Sequence, residues 1–261
     1  MPIVEVDGLV KRYRGSTNNA VDDISFTVAE GTLFCLLGPN GAGKTTTVSI
    51  LTTTLTPTAG RVRIAGHDLA TSQSAIRRTL GIVFQQPSLD LNLTAEENIR
   101  IHAVLYGLYP WRPTFSLMPR HYREQIDQLA SVLGIAHNLR RKVHTFSGGM
   151  RRKLEIVRAL MHRPAVLFLD EPTAGLDPES RRSLWDYLRQ TRREFGTTVF
   201  LTTHYLAEAE SADTVCVILD GRIVERGAPA EIKARHAPFE PRWQLVAPTL
   251  EDAYLHLLDT A

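Results

Sequence analysis

The sequence predicts an α/β fold in which a parallel sheet carries helices on both faces. Short apolar runs that fit buried strands alternate with amphipathic segments that fit helices, which is typical of parallel sheets. The N-terminal part instead alternates apolar and polar residues between glycines, a pattern typical of antiparallel strands. A helical pattern then interrupts the strands near the middle of the chain. We therefore expect an α/β core with an antiparallel β-subdomain and an inserted α-helical subdomain.

Length, charge and hydropathy narrow the class of protein. The chain has 261 residues, enough for one large domain with a short appendage, and its net charge of +2 does not indicate a nucleic-acid partner. No apolar run in the sequence approaches the roughly 20 residues that span a bilayer, and the N-terminus does not resemble a signal peptide. Cys35 and Cys216 lie in apolar runs, so we expect buried thiols in a reducing compartment. These features predict a cytoplasmic protein that does not itself cross a membrane.

The N-terminal part is expected to form the antiparallel sheet. Residues Ile3–Asp7 and Ile24–Val28 alternate apolar and polar positions, and Arg61–Ile64 fits a further edge strand. Tyr13 places an aromatic ring on the polar loop between the first two strands. We expect this sheet to pack beside the phosphate-binding loop that follows it.

A phosphate-binding loop follows the first buried strand. Leu33–Leu37 is an apolar run, and the loop after it fits the spacing G-x-x-x-x-G-K-[ST]. Glycines allow the backbone N–H groups to point at a phosphate, Lys44 can reach the β- and γ-phosphates, and the Thr45 hydroxyl can ligate Mg²⁺. A Gly-rich turn with a chance Lys-Thr is the alternative, but a strand before and a helix after favour nucleoside triphosphate binding. The expected phosphate contacts are Gly38, Pro39, Asn40, Gly41, Ala42, Gly43, Lys44, Thr45 and Thr46.

The middle of the chain predicts one strand followed by helices. Gly81–Phe84 fits a second buried strand, and the pattern is helical from about residue 93 to residue 139. Thr94 and Glu97 have the spacing of a capping box at a helix start. Tyr122–Leu133 fits a further amphipathic helix that stops at a glycine.

A second anion-binding helix start is predicted beyond these helices. Ser147 can cap the helix that follows it, which leaves the amides of Gly148 and Gly149 to form an anion site at the helix N-terminus. Basic triplets at 140–142 and 151–153 flank this point, and we expect them to form a solvated charged face. Attraction of ATP or of acidic lipid is the alternative. The buried face of the helix is expected to consist of Met150, Leu154, Val157 and Met161.

An acid pair follows a third buried strand. Ala165–Leu169 is apolar and ends at Asp170 and Glu171. An Asp at a strand end can hold the Mg²⁺ of a phosphate-loop site, and an adjacent Glu can orient and deprotonate an attacking water. Such pairs also occur in surface loops, but the strand and the earlier phosphate loop favour a functional role. The remaining predicted elements are a helix over 183–195, a strand over 197–201 leading to His204, and a hairpin of 215–219 with 222–225 around an Asp-Gly turn.

The order and spacing of these motifs resemble those of the ABC ATPase family. Ser147-Gly-Gly-Met150 lies 23 residues before Asp170 and is similar to the signature motif of that family. The resemblance covers residues 2–227. It implies ATP and Mg²⁺ as ligands and two domains that sandwich two ATP molecules head to tail, with the signature acting in trans.

The resemblance also implies roles for single residues. Tyr13 matches the aromatic that stacks on adenine, His204 matches the histidine on the γ-phosphate, and Ala174–Asp177 matches the loop that crosses the dimer interface. Gln85 matches the glutamine that senses Mg²⁺ and the attacking water, and Gln86 is the less favoured alternative. The implied catalytic residues are Glu171 (the base), His204, Gln85 and Lys44; the implied Mg²⁺ ligands are Thr45, Gln85 and Asp170; and the implied nucleotide contacts outside the phosphate loop are Tyr13, Ser147, Gly148, Gly149 and Asp177.

The signature departs from the family pattern at two positions. Met150 stands where the family usually has Gln, and Phe146 stands where it usually has Leu. Ser147 and both glycines are intact, so we expect the phosphate contact to survive. The sequence does not predict what replaces the ribose or neighbouring contacts that the usual Gln makes.

Two segments indicate a branch of the family. Residues 87–94 resemble the corresponding segment of ATPases that serve drug-, polysaccharide- and lipid-exporting permeases. Residues 248–258 resemble the end of bacterial multidrug-exporter ATPases of the daunorubicin-resistance type, although this segment also fits a short helix docked on its own domain. The resemblance implies a separate transmembrane permease, a homodimer and a peripheral location at the cytoplasmic face of the cell membrane. The chain would be the ATPase of an exporter of drugs, lipids or polysaccharide. A soluble ABC-type assembly factor without a permease is the alternative.

An insert within the helical region is the last feature. Tyr109–Pro119 contains three prolines, which exclude a continuous helix. Its Trp111, Phe115, Leu117 and Met118 are expected either to pack on the helical subdomain or to contact a permease or the membrane. We expect a nucleotide-binding domain at 1–227, with its helical subdomain at about 88–160, and a short C-terminal extension at 228–261.

Overall fold

The computed structural model describes residues 1–85, 88–173 and 175–236. The strands are β1 (Pro2–Arg12), β2 (Asn19–Ala29), β3 (Leu33–Leu37), β4 (Ala59–Ile64), β5 (His67–Asp68), β6 (Leu80–Val83), β7 (Val166–Asp170), β8 (Thr198–Thr203), β9 (Thr214–Leu219) and β10 (Arg222–Gly227). The α-helices are α1 (Lys44–Leu51), α2 (Gln73–Thr79), α3 (Ala95–Leu105), α4 (Arg120–Val132), α5 (Gly148–Leu160), α6 (Pro178–Phe195), α7 (Leu206–Ala209) and α8 (Pro229–His236). The expectations for Gln86, Pro87, Ala174 and the segment 248–258 fall outside the described residues.

The chain divides into two compact units. The first holds residues 1–76 and the chain from Thr198 onward, and the second holds Arg77–Thr197. The first unit contains an antiparallel sheet and a largely parallel one, whereas the second is mostly helical. The domain and subdomain bounds expected from the sequence stay a prediction.

The antiparallel sheet of the first unit has the strand order β2-β1-β4-β5. Val4 pairs with Val28 and Val6 pairs with Phe26, so that apolar residues of neighbouring strands share one face. These four side chains are buried, and the residues between them in β2 are exposed. The period-two pattern of the sequence therefore predicts this sheet correctly.

The central strand of the other sheet in this unit is β3. It pairs in parallel with β8 on one side and with β9 on the other, and every residue of β3 and β8 is buried. Strands β9 and β10 form the expected hairpin, in which Arg222 pairs with Leu219. The turn residues Asp220 and Gly221 both have positive φ, at 46° and 81°, as a two-residue type I′ turn requires.

Three phenylalanines join the two sheets of the first unit. Phe26 of β2 stacks on Phe34 of β3 with ring centroids 5.2 Å apart, and Phe34 lies 4.9 Å from the ring of Phe200 in β8. All three side chains are fully buried. This cluster is part of the buried core of the first unit.

The second unit places helices around the parallel pair β6 and β7. Helix α3 begins with the expected capping box: the Thr94 hydroxyl accepts from the Glu97 amide, and the Glu97 carboxylate accepts from the Thr94 amide. Helix α4 packs on α5 through a buried face that includes Leu129 on α4 and Leu154 on α5. These contacts follow the three-to-four spacing of apolar residues in the sequence.

The Pro-rich insert lies between α3 and α4, and its apolar residues do not all behave alike. Met118 and Tyr109 are buried, with exposed fractions of 2% and 7%, whereas Trp111 and Leu117 are exposed, at 62% and 56%. The Arg100 guanidinium donates to the Arg112 carbonyl oxygen at 2.7 Å, which ties the insert to α3. Part of the insert is thus core, and part is available to solvent.

Both cysteines are buried, as the sequence predicts. Cys35 and Cys216 are both fully buried free thiols, and burial raises the pKa of the Cys216 thiol to about 12. Within residues 1–236, apart from the three that are not described, no helix is long and apolar enough to cross a membrane.

Candidate functional site

The phosphate loop joins β3 to α1 and depends on its glycines. Gly41 and Gly43 have φ values of 86° and 102°, which L-residues rarely adopt. A Cβ atom at Gly38 would lie 2.3 Å from the Ile218 carbonyl oxygen, and one at Gly43 would lie 2.5 Å from the Ala20 carbonyl oxygen. Gly43 is therefore required both by its backbone conformation and by close packing, Gly41 by its conformation and Gly38 by close packing.

Lys44 is positioned by the loop that precedes it. Its side chain is buried, and its Nζ donates to the carbonyl oxygens of Gly38 at 2.7 Å and Pro39 at 2.9 Å. Gly41 and Thr45 on the same loop are exposed. The loop thus combines a held ammonium group with accessible backbone and hydroxyl groups, a chemistry that suits a phosphate and its cation.

The structure places Tyr13 and His204 in the same unit as this loop. The Tyr13 hydroxyl lies 3.2 Å from the Thr46 hydroxyl, and Tyr13 as a residue is 46% exposed. His204 directly follows β8, whose last residue, Thr203, accepts a hydrogen bond from the Gly38 amide at 3.4 Å. Both predicted residues are therefore tied through neighbouring atoms to the phosphate loop, and both are exposed.

The second unit brings Gln85 and Glu171 together. Strand β7 ends at Asp170, which is buried, and Glu171 follows with a positive φ of 49°. The Gln85 Nε2 donates to the Glu171 Oε2 at 3.2 Å. An amide that holds a carboxylate at the end of a strand is an arrangement suited to orienting a water molecule.

The signature residues begin α5 as expected. The Ser147 hydroxyl accepts from the Met150 amide at 3.2 Å and caps the helix. Gly148 and Gly149 form its first turn, and a Cβ at Gly149 would lie 3.1 Å from the Gly175 carbonyl oxygen. The helix start is therefore crowded on the side of Gly149 and open at Gly148, where a Cβ would meet no described atom within 4 Å apart from its chain neighbours and the nearby backbone of its own helix.

Asp177 caps the next helix in the second unit. It accepts from the Ser180 amide at 2.8 Å, and its Oδ2 lies 3.9 Å from the Lys153 Nζ of α5. The hydrogen bonds from Ser180 lower the pKa of this carboxyl group. Asp177 thus links the starts of α5 and α6.

One expectation about charge is wrong. The triplet 151–153 was expected to form a solvated face, but Arg152 is buried, with an exposed fraction of 5%. Its guanidinium donates to the carbonyl oxygens of Asp170 at 2.6 Å, Glu171 at 2.9 Å and Pro172 at 3.1 Å, and also to that of Phe84. The charge pattern of the sequence cannot reveal these partners, because they are neutral backbone carbonyl groups from segments far apart in the chain. The other triplet, 140–142, is exposed as expected.

A local signal could have pointed to Arg152. Glu155 and Arg158 follow it at intervals of three residues, so the charges alternate along one helix face. Burial lowers the pKa of the Arg152 guanidinium, and the neighbouring Glu155 carboxylate raises it. Because this buried ion pair lies on the helix that carries a predicted functional motif, we interpret its role as holding neighbouring segments in position.

Comparison with known proteins agrees with the motifs and the fold. The family model for the ABC transporter matches residues 21–174, more than half of the chain. A daunorubicin/doxorubicin resistance ATP-binding protein of Streptomyces peucetius is 41% identical over 232 residues, which cover 88% of this chain and 67% of the relative.

Solved structures show the same fold. The structure of an ATP-binding subunit of an ABC transporter is 29% identical, with a TM-score of 0.85, over 98% of this chain and 99% of the other. A dimeric ATP-binding cassette in a post-hydrolysis state with ADP and phosphate is 25% identical, with a TM-score of 0.78, over 86% of this chain and 98% of the other. The expected α/β fold class and the resemblance to ABC ATPases are thus confirmed. With its phosphate loop, its strand-end acid pair and its capped signature helix, the chain belongs to the ABC transporter family as an ATP-binding cassette.

Proposed function

We propose that this chain is the ATP-hydrolysing, energy-coupling subunit of a membrane exporter and works as a dimer with a separate permease. The observation that carries the proposal is the Glu171 carboxylate, held by Gln85 at the end of β7. The phosphate-loop motif and the Ser147, Gly148 and Gly149 part of the signature are intact in the sequence, and the relatives with drug-resistance names support export. Drugs, lipids or polysaccharide are the proposed classes of cargo.

The phosphate loop would bind the nucleotide. Its amides and Lys44 would hold the β- and γ-phosphates, while the exposed ring of Tyr13 would stack on adenine. Within the described residues, no group of three or more His, Cys, Asp or Glu side chains could hold a metal by itself. This suits Mg²⁺, which is usually bound by one or two protein ligands together with substrate phosphates. The proposed ligands are Thr45, Gln85 and Asp170.

Hydrolysis needs a base, a positioned water and stabilised phosphate charge. Glu171 would accept the proton as the water oxygen bonds to the γ-phosphorus and the bond to ADP breaks. Gln85 would orient that water through its amide, and His204 would donate a hydrogen bond to the γ-phosphate. The products are ADP and inorganic phosphate, and bound Mg²⁺ would neutralise charge on the phosphate oxygens.

A second copy of the chain is the proposed partner in the ATP-bound state. Ser147, Gly148 and Gly149 would meet the γ-phosphate held by the other copy, with Asp177 close to the contact between the copies. The open space beside Gly148 supports such an approach. The dimer would sit at the cytoplasmic face of the membrane, bound to its permease.

The substitution Glu171→Gln tests the hydrolytic role. It keeps the shape of the side chain and removes the base, so kcat for ATP should fall about a hundredfold or more while nucleotide still binds. Steady-state phosphate release and equilibrium binding of ATP measure the two effects. Glu124→Gln, an equal charge change at an exposed position of α4, should keep the wild-type rate.

The same variant tests the dimer. With MgATP, Glu171→Gln protein should sediment as a dimer in analytical ultracentrifugation, and without nucleotide it should sediment as a monomer. Hydrolysis by Glu171→Gln at the wild-type rate would show that another group is the base. A monomer at every ATP concentration would show that the isolated chain does not pair, and binding to a co-expressed permease would then be the test of the partner.

A further inference from the structure

Three charged residues form one buried face of α5. Arg152, Glu155 and Arg158 are spaced by three residues, with side-chain exposed fractions of 5%, 1% and 11%. Arg152 Nη1 lies 3.4 Å from Glu155 Oε2, and Arg158 Nη2 lies 3.7 Å from Glu155 Oε1. A single carboxylate thus joins two guanidinium groups, and we call these three residues the α5 triad.

The triad holds the chain on both sides of Gln85. The Arg152 guanidinium donates to the carbonyl oxygen of Phe84, directly before Gln85. Beyond it, the Ser88 amide donates to Glu155 Oε1 at 2.8 Å, and Arg158 donates to the Ser88 carbonyl oxygen at 2.8 Å and to its hydroxyl at 2.5 Å. Every member of the triad therefore contacts Phe84 or Ser88.

The same triad holds the backbone that carries Glu171. Arg152 donates to the carbonyl oxygens of Asp170, Glu171 and Pro172. Glu171 has a φ of 49°, a conformation that a non-glycine residue keeps only when its surroundings hold it there. The donations from Arg152 fall on the carbonyl groups on either side of that strained residue.

We propose that the α5 triad is a positioning element that sets Gln85 and Glu171 relative to each other from a single helix. The proposal rests on the roles given above to those two residues. The contact between the Gln85 amide and the Glu171 carboxylate, at 3.2 Å, depends on two segments that are 86 residues apart in the chain. Both segments are bonded to the same guanidinium, so Arg152 bridges them directly beyond the last pair of β6 and β7, Val83 with Leu169.

Stability alone does not explain this choice of residues. A buried ion pair contributes little net stability compared with apolar residues of similar volume, because both charges lose their water. The backbone acceptors of Arg152 and Arg158 belong to the two segments that carry Gln85 and Glu171. The triad is therefore directed at those segments in particular.

The triad lies on the same helix as the signature. Helix α5 begins at the Ser147 cap, one turn before Arg152. A displacement of this helix when its start meets a γ-phosphate would carry the triad, and with it Gln85 and the Glu171 backbone. The triad thus gives the chain a direct mechanical link from its signature to its own hydrolytic residues.

A double-mutant cycle between Arg158 and Gln85 tests the proposal. Steady-state hydrolysis at varied ATP by wild type, Arg158→Met, Gln85→Ala and the double variant gives kcat and KM for ATP. If Arg158 acts through Gln85, Arg158→Met should lower kcat about tenfold in the wild-type background but less than about twofold beside Gln85→Ala. KM for ATP should change by less than about twofold, because the phosphate loop is untouched.

Controls separate positioning from loss of structure. Arg163→Met removes an arginine that stacks on Phe195 and should leave kcat unchanged. Thermal melting shows whether each variant is folded, and if Arg158→Met is not, Arg158→Lys keeps the charge beside Glu155 but loses the two-pronged contact with Ser88. Arg152→Lys should also lower kcat without raising KM, because ammonium cannot serve all four carbonyl groups.

The outcomes are distinguishable from failure of the proposed function. Equal losses of kcat from Arg158→Met in both backgrounds, or no loss in either, would overturn the positioning role. Wild-type hydrolysis together with an inactive Glu171→Gln protein would leave the proposed function standing in that case. If wild type does not hydrolyse ATP, or Glu171→Gln is fully active, the proposed function itself fails and the triad is structural only.

Discussion

The backbone conformation of Glu171 costs free energy on folding, but it directs the carboxylate toward Gln85. Its positive φ costs on the order of 1–3 kcal/mol for a non-glycine residue. The two hydrogen bonds that Arg152 gives to the carbonyl groups of Asp170 and Glu171 offset part of this cost. The backbone turn aims the carboxylate at Gln85, which a regular continuation of β7 would not do.

His102 is a partly buried residue with an enclosed Nε2 atom, and the hydrolytic mechanism does not use it. Its ring lies against that of Tyr106 with centroids 4.2 Å apart and a tilt of 33°, and its Nε2 is buried without a hydrogen-bond partner among the described residues. Burial is the main cause that lowers the pKa of this imidazole from 6.5 to about 3, and the positive charge of Arg158 adds to it. His102 is thus neutral in the folded protein near neutral pH.

This shift predicts a pH dependence of stability. The unfolded chain protonates His102 as the pH falls below 6.5, whereas the folded protein does not until about pH 3, so acid favours unfolding. The residue should therefore contribute a loss of up to about 2 kcal/mol in the free energy of unfolding between about pH 7.5 and pH 5. Urea denaturation at both pH values, for wild type and His102→Phe, measures it.

Comparison with the His102→Phe variant shows whether His102 is responsible for the loss of stability in acid. Phe keeps the aromatic contact with Tyr106 and cannot bind a proton, so the loss of stability in acid should be smaller by the same amount. His162, whose pKa burial also lowers, is present in both proteins. If the two proteins lose equal stability in acid, His102 is not neutral and buried as described.

At the scale of elements, the helix starts show two uses of the same chemistry. Thr94 caps α3 through a reciprocal capping box, and Ser147 caps α5 through a single bond to the Met150 amide. Either cap satisfies helix amides that would otherwise lack partners. Only the second lies in the signature, so the two caps should separate stability from function.

Alanine at each cap tests that separation. Thr94→Ala should lower the free energy of unfolding by about 1–2 kcal/mol and leave kcat for ATP nearly unchanged. Ser147→Ala should lower stability by a similar or smaller amount, because one cap bond is lost, but should lower kcat about tenfold if its hydroxyl meets phosphate. Urea denaturation and steady-state hydrolysis measure the two quantities. If the two variants change kcat equally, the Ser147 cap has only a structural role, like the Thr94 cap.

Elements governed by local rules could be predicted from the sequence. The phosphate loop, the Thr94 capping box and the Asp-Gly hairpin each depend on residues close in the chain, and the structure has all three. Arg152 could not be predicted, because its partners Phe84 and Asp170 are close only after folding. The insert was ambiguous for the same reason, since burial of Met118 but not of Trp111 depends on packing against other elements.

At the scale of the whole molecule, the predicted residues divide between the two units of the chain. The phosphate loop, Tyr13 and His204 belong to the first unit, and Gln85, Glu171 and the signature belong to the second. A chain with two helix starts suited to anions raises the question of which copy each one serves. The family resemblance places the signature of one copy on the nucleotide of the other, and this can be tested without any structure of the dimer.

Mixing two impaired variants decides between the two arrangements. Lys44→Met removes the phosphate-loop lysine, and Ser147→Ala removes the signature hydroxyl, so each protein alone should hydrolyse ATP slowly. In an equal mixture, about half of the dimers are heterodimers, and a signature acting in trans gives each of them one complete site. Hydrolysis should then rise to about a quarter of the wild-type rate, above the sum of the two variants. A signature acting in cis gives no complete site in any dimer, and the rate of the mixture would equal the mean of its components. The double variant Lys44→Met, Ser147→Ala mixed with Lys44→Met alone should show no rise, because no pairing of those chains combines an intact loop with an intact signature.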